Sequence, residues 1–137
     1  MAEESLGVDE VHAWFEDYLR VYAACCRGES DDTRQLLEYF GVPLLLTTDA
    51  TAVALTSEDG VVGAVGQQVD RLRGAGYART ETLDSETTML NASTALHRAH
   101  FAWLRADDSE IARMGLAYVI THGDSGRRIS ALVVGTP

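Results

Sequence analysis

The feature that most constrains this chain is an aromatic stripe near its start. Apolar side chains recur there at steps of three and four residues, the spacing of one face of an α-helix: Val11, Trp14, Phe15, Tyr18, Leu19, Tyr22 and Cys26. We expect Asp9 to cap this helix and Gly28 to end it. Rings of this size need a broad apolar surface to cover them, so Trp14 and Tyr18 are predicted to be mostly buried.

Two more helices and a strand pair are predicted in the first half of the chain. Ser30 or Asp31 can cap a short second helix, which Gly41 and Pro43 would end. Residues 43–49 and 51–56 are predicted to form two short strands, with proline tolerated at the start of the first. Ser57 then has the properties of an N-cap, and two acidic residues follow it in the first turn of a third helix.

The second half of the chain has the pattern of a β-meander. Polar turns separate four predicted strands at 79–90, 95–106, 111–122 and 127–134. Alternate residues of 111–122 are apolar, which predicts one buried face: Ala112, Met114, Leu116, Tyr118 and Ile120. On 95–106, Phe101 and Trp103 share a face with His97. That face either lines the inside of the fold or forms an outer surface, and the alternation leaves both possibilities open.

Composition and charge exclude several classes of function. The chain has 137 residues, 46% of them hydrophobic, which is enough for one domain spanning 1–137 with a real core. A formal net charge of −10 argues against nucleic acid, because phosphate binding relies on clustered basic residues. No apolar run approaches the roughly 20 residues of a membrane span, and no signal peptide is evident. We expect a cytoplasmic protein that binds neither nucleic acid nor membranes.

The residues that could ligate metals or act in catalysis do not form a recognisable motif. Cys25 and Cys26 lack partners at zinc spacing and are interpreted as packing residues. His97 and His100 point to opposite faces of one strand, so they cannot share a metal in regular β geometry. We therefore predict no metal and no cofactor. The nearest approach to a basic cluster is formed by Arg71, Arg73 and Arg79, which we interpret as a solvated helix end.

The order of elements resembles the nuclear-transport-factor-2-like (SnoaL-like) superfamily. The resemblance rests on the aromatic first helix, on the segment Tyr39-Phe-Gly-Val-Pro43 and on the ending from Tyr118 to Gly-Arg-Arg-Ile-Ser130. It implies an α+β fold with a cone-shaped barrel, in which a cone-shaped, curved antiparallel sheet of about six strands carries three helices on its concave face. Members dimerise through the outer sheet face, and Val119 and Val134 are predicted to lie there. We therefore expect a homodimer.

The resemblance also implies a pocket, but it does not specify a reaction. In ketosteroid isomerase, a member of this superfamily, an Asp base works with a Tyr and a protonated Asp. This chain offers Tyr18 or Tyr22 and Asp49, but the position of the second acid carries Leu116-Ala-Tyr118. We expect an apolar pocket with tyrosine donors, which would bind a hydrophobic small molecule. Its predicted lining residues are Trp14, Tyr18, Tyr22, Phe101, Trp103, Met114, Leu116 and Tyr118.

Two alternatives remain open at this point. The first is an isomerase, cyclase or dehydratase that acts on a hydrophobic substrate, with a tyrosine as donor and a His or Asp as base. The second is an interaction module that dimerises and fills its cone with its own side chains. A carboxylate or imidazole in the cavity would favour the enzyme, and a filled cone with an apolar outer face would favour the interaction module.

Overall fold

The computed structural model describes residues 2–135, with side chains from residue 7 onward. Two α-helices, α1 (Ala2–Cys26) and α2 (Glu58–Gly74), lie in the first part of the chain, with a 3-10 helix at Thr33–Glu38 between them. The strands are β1 (Phe40–Thr47), β2 (Ala52–Leu55), β3 (Tyr77–Asn91), β4 (Thr94–Arg105), β5 (Glu110–Gly123) and β6 (Gly126–Gly135). The predicted α+β fold and its order of elements are confirmed.

All six strands form one curved sheet in the order β2-β1-β6-β5-β4-β3. The four long strands β3 to β6 form an antiparallel meander, and the β1–β2 hairpin joins it beside β6. Register shifts interrupt the pairing of β3 with β4 at three places, and such bulges increase the local twist of a sheet. The resulting curvature gives the sheet an inner face, on which the helices pack.

Two details of the predicted sheet were wrong. β1 pairs with β6 in parallel, so the sheet is not antiparallel throughout. The sheet is also not a closed barrel, because β2 and β3 are its two edges and do not pair with each other. The sheet is therefore open, with one unpaired side on each of these two edge strands.

The ends of the helices follow from local sequence. Gly28 adopts a φ of +78°, and the amide of Glu29 donates to the carbonyl of Ala24 at 2.9 Å, as in a Schellman motif. Gly28 therefore ends α1 as predicted. The start was wrong, because α1 begins at Ala2 and Asp9 lies inside it. The Ser57 hydroxyl accepts from the amide of Gly60 and caps α2, as the sequence predicts.

The core lies between the aromatic stripe of α1 and the inner face of the sheet. Phe15 is 1% exposed, and its ring lies 4.2 Å from that of His97 and 4.7 Å from that of Tyr118, between centroids. Tyr18 is 4% exposed and packs edge-on against Phe40. Trp14 is only half-buried, beside Tyr39, because it lies at the margin of the stripe. The stripe thus covers the sheet with Phe15 at its centre.

Replacing Phe15 by alanine tests this packing. The change removes a fully buried ring and leaves a cavity, so we expect it to lower the free energy of unfolding by about 3–5 kcal/mol. Urea denaturation followed by circular dichroism measures the loss. Glu16→Ala, on the exposed face of α1, is the matched control and should change it by less than about 0.5 kcal/mol. Equal effects of the two substitutions would contradict the packing of α1 described here.

Candidate functional site

A cavity of about 300 Å³ lies between the helices and the inner face of the sheet. That volume is at the lower end of the range for ligand sites, roughly 300–1,000 Å³. Its apolar wall is formed by residues of α1, α2 and the four neighbouring strands β1, β6, β5 and β4: Leu19, Phe40, Leu44, Leu46, Ala64, Val65, Phe101, Trp103, Met114, Leu116, Leu132 and Val134. Tyr18, Tyr22, Thr48, Gln67, Gln68, Arg71, Thr80 and Tyr118 supply its polar atoms.

The structure brings seven of the eight predicted pocket residues together along this cavity: Tyr18, Tyr22, Phe101, Trp103, Met114, Leu116 and Tyr118. Trp14 is the exception. It does not line the cavity, because its position on α1 directs it toward Tyr39, with 5.5 Å between the ring centroids. The stripe of α1 is wider than the cavity, so a residue at its edge packs on a neighbouring segment instead.

The orientation of β4, which the sequence left open, follows from the same lining. Phe101 and Trp103 face the cavity, and His97 is buried on the same inner face. Val134 also lines the cavity, so its predicted place on the outer face was wrong. It pairs with Leu116, and directly cross-strand partners share a face.

Two buried tyrosine hydroxyls open into the cavity. Within the described part of the chain, neither the Tyr18 nor the Tyr118 hydroxyl makes a hydrogen bond to another residue. Every side-chain nitrogen or oxygen there that is sealed from solvent does have a hydrogen-bond partner. These two hydroxyls therefore contact the open space of the cavity. Burial raises the pKa of both phenols, and Tyr118 and Tyr22 raise that of Tyr18 further. Both remain protonated at neutral pH and can donate hydrogen bonds.

The thiol next to this site is also held in its neutral form. Cys26 is 1% exposed, and burial raises its pKa to about 12. Burial, followed by the influence of Cys26, raises the pKa of Tyr22 as well. A thiol that stays protonated is a weak nucleophile. Cys25 and Cys26 are both free and buried, consistent with a packing role.

The two histidines of β4 lie on opposite faces, as predicted. His97 is 2% exposed and its Nδ1 lies 2.7 Å from the Thr87 hydroxyl. Burial first, and then His12, lowers the pKa of His97 to about 4. His100 is exposed on the outer face, where its Nδ1 lies 2.7 Å from a carboxylate oxygen of Asp84. Neither imidazole lines the cavity.

The opening of the cavity is marked by lining residues that are exposed to solvent. Thr48, Gln67 and Arg71 have this exposure, whereas the lining residues Tyr18 and Tyr118 are buried and define its inner end. The sequence pattern grouped Arg71 with Arg73 and Arg79 and did not indicate that it lines the cavity. The structure separates the three, because Arg73 donates to the carbonyl of Cys25 at 2.6 Å and Arg79 on β3 pairs with Asp108 at 2.6 Å. The spacing of Arg71 along α2 relative to the apolar face of that helix was the available signal.

The described acidic and metal-ligating groups do not come together at the cavity. Its lining contains no Asp, Glu or His from the part of the chain that the structure describes, and Asp49 is exposed beyond the end of β1. Among the residues that the structure describes, no three His, Cys, Asp or Glu side chains are placed to share a metal ion. No helix in that part of the chain is long and apolar enough to cross a membrane.

An open, curved six-stranded sheet with helices over an apolar cavity defines a class of α+β cone proteins. Within that class, residues 9–137 match the model of a family described as NTF2-like protein (DUF6841). Because this match covers nearly the whole chain, the protein belongs to that NTF2-like family, and the resemblance inferred from its sequence is confirmed. No curated protein matches the sequence.

Solved structures support the fold. An NTF2-like protein of unknown function from Pseudomonas putida KT2440 has a TM-score of 0.70 at 9% identity, over 97% of this chain and 88% of its own. A domain of unknown function with a cystatin-like fold from Nostoc punctiforme scores 0.69 at 18% identity, over 96% and 78%. An NTF2-like protein with a cystatin-like fold from Novosphingobium aromaticivorans scores 0.69 at 13% identity, over 94% and 81%. At these identities the likeness shows the fold alone.

The lowered pKa of His97 predicts a dependence of stability on pH. The unfolded chain binds a proton at this side chain below about pH 6.5, whereas the folded protein binds it only near pH 4. The unfolded state therefore holds more protons in this window, and stability falls as pH drops through it, by up to about 3 kcal/mol. The ring of His12 lies 6.5 Å from that of His97, between centroids, and its Nε2 lies 3.5 Å from a carboxylate oxygen of Glu16.

Urea denaturation between pH 7 and pH 4 measures this effect. His97→Gln can keep a hydrogen bond to Thr87 but cannot take up the proton, so its free energy of unfolding should fall less steeply over this range. His122→Gln, at an exposed position on β5, should retain the slope of the wild type. Parallel curves for wild type and His97→Gln would show that His97 does not titrate differently on folding.

Proposed function

We propose that this protein binds an apolar small molecule in the cavity, with the hydroxyls of Tyr18 and Tyr118 as its hydrogen-bond donors. The observation that carries the proposal is the pair of phenol groups without partners among the described residues, in a cavity whose lining is mainly apolar. Each hydroxyl contacts the open space of the cavity, so a ligand with an oxygen acceptor at its inner end can accept a hydrogen bond from it.

The chemistry of the cavity favours binding over proton abstraction. A base that works near neutral pH must be unprotonated there, and phenols with a raised pKa are not. None of the described lining residues supplies the carboxylate or neutral imidazole that an isomerase, cyclase or dehydratase would need. His97 is close to Tyr118, with 6.2 Å between ring centroids, but Phe15 packs on it and Thr87 occupies its Nδ1. The proposal therefore assigns no reaction.

A second proposal concerns the outer face of the sheet, which we infer forms a homodimer. Four apolar side chains follow one another across neighbouring strands there, as the register shows: Leu45, Ala131, Val119 and Leu96. Val133 is 40% exposed beside them, and Leu45 is 44% exposed. Such a patch covering several strands is typical of an interface, and a face of this kind can pack on its own copy about a twofold axis.

Removing one hydroxyl tests the proposed donors. Tyr118→Phe keeps the ring, so we expect it to weaken binding of 2-decanone about fivefold, the effect of one neutral hydrogen bond. Binding of decane, which has no acceptor, should not change. Displacement of an environment-sensitive dye measures both affinities. Tyr39→Phe is the control, since Tyr39 packs against Tyr18 but does not line the cavity. If neither probe binds the wild type, the cavity is not a ligand site; if Tyr118→Phe has no effect, the phenol assignment is wrong.

Sedimentation velocity at micromolar concentration tests the dimer. The wild type should sediment as twice 14.9 kDa, and Val133→Glu should be a monomer, because a stable interface of roughly 1,200 Å² or more would have to bury the new charge. Leu90→Glu is the matched control, since Leu90 is 56% exposed at the far end of β3, and it should remain dimeric. A wild type that sediments only as a monomer would rule the homodimer out.

A further inference from the structure

We propose that Arg71 binds the anionic group of the ligand, so that the preferred ligand is a monocarboxylate whose carboxylate stays at the opening and whose largely apolar chain lies inside the cavity, with an oxygen acceptor at the phenols of the inner end. This inference rests on the proposed small-molecule function and specifies the class of ligand. It is carried by the position of Arg71 on α2, by its lack of an acidic partner among the described residues and by the polarity gradient along the cavity.

The position of Arg71 follows from helical spacing. The residues of α2 that line the cavity include Ala64, Gln67, Gln68 and Arg71, at steps of three, one and three. These steps place the four side chains on one stripe of the helix, which faces the cavity. Arg71 is at the C-terminal end of this stripe and is exposed to solvent. A long guanidinium side chain can therefore cover the opening while its charged end remains hydrated.

Arg71 has no acid to neutralise it among the described residues. The chain has eleven basic residues, all arginine, against 21 acidic ones. Apart from Arg71 and Arg98, every arginine makes an ion pair or donates a hydrogen bond to the described part of the chain. The helical neighbours of Arg71 at three and four residues are two glutamines, Gly74 and Ala75. Arg98, by contrast, lies on the outer face opposite Glu86.

The arrangement of charge fits an anion at the opening and no charge at the inner end. Among the residues that the structure describes, Arg71 is the one charged residue of the cavity lining, and none of them places an acidic group there to repel a carboxylate. The inner end is buried and apolar apart from its phenols, and an ionised group taken there would lose its hydration. A guanidinium binds a carboxylate with two parallel hydrogen bonds. A carboxylate therefore has its best partner at the opening.

The volume of the cavity limits the size of the ligand. About 300 Å³ holds roughly ten groups of the size of a water molecule, at about 30 Å³ each. A medium-length alkyl chain fits this space and a long-chain lipid does not. Decanoate is therefore a suitable probe, and 1-decanol, which has the same chain without the charge, is its matched neutral partner.

Isothermal titration with these two probes tests the inference. The wild type should bind decanoate about five to ten times more tightly than decanol, the ratio expected for one partly exposed charge pair. Raising the ionic strength from about 0.1 M to about 1 M should reduce that ratio, because the screening length falls from about 10 Å to about 3 Å. Arg71→Gln should bind both probes equally, and Arg98→Gln should behave as the wild type.

The outcomes separate this inference from the proposed function. If decanoate and decanol bind the wild type equally, or if Arg71→Gln retains the preference for decanoate, the assignment of Arg71 is wrong while the cavity remains a ligand site. If neither probe binds, both proposals fail. Arg71 in the last turn of α2 could also only stabilise the helix end. In that case Arg71→Gln would lower the unfolding midpoint and leave the ratio of the two affinities unchanged.

Discussion

The contact of Phe15 with the inner face of the sheet is the interaction on which the rest of this structure depends. Its ring lies over His97 of β4 and Tyr118 of β5, and so fixes the height and direction of α1 above the meander. Tyr18, one turn along the helix, is thereby held over Phe40 at the edge of the cavity. The contact also explains the lowered pKa of His97. Phe15 helps to exclude water from the imidazole, and burial disfavours its charged form.

The cavity has a gradient from a buried inner end to an exposed opening. Its inner end combines apolar side chains with phenols that remain protonated, and its opening carries the exposed polar residues of α2. This distribution arises because one helix, α1, contributes aromatic residues and the other contributes glutamines and an arginine to the same space. It would orient the proposed ligand by its two ends.

The sequence predicted those parts of the structure that depend on local periodicity. The alternation on β5 identified Met114, Leu116 and Tyr118 as one face, and Ser57 marked the start of α2. Features that depend on the pairing register of the strands were harder to predict from the sequence. The placement of Val134 depends on its pairing with Leu116, and the face of β4 depends on which side the helices cover. Arg71 was missed because a charged residue on a helix is usually solvated, and only the packing angle of α2 brings its stripe over the cavity.

The place of β6 in the sheet has a consequence for how the domain is made. β6 lies between β1 and β5, so it joins the hairpin formed early in the chain to the meander formed late. During synthesis, the β1–β2 hairpin has no third strand to pair with until β6 leaves the ribosome. Pairing segments so distant along the chain is slow compared with forming hairpins. Leu45 and its neighbours on β1 therefore remain exposed at an unpaired strand edge until β6 pairs with β1 and completes the sheet.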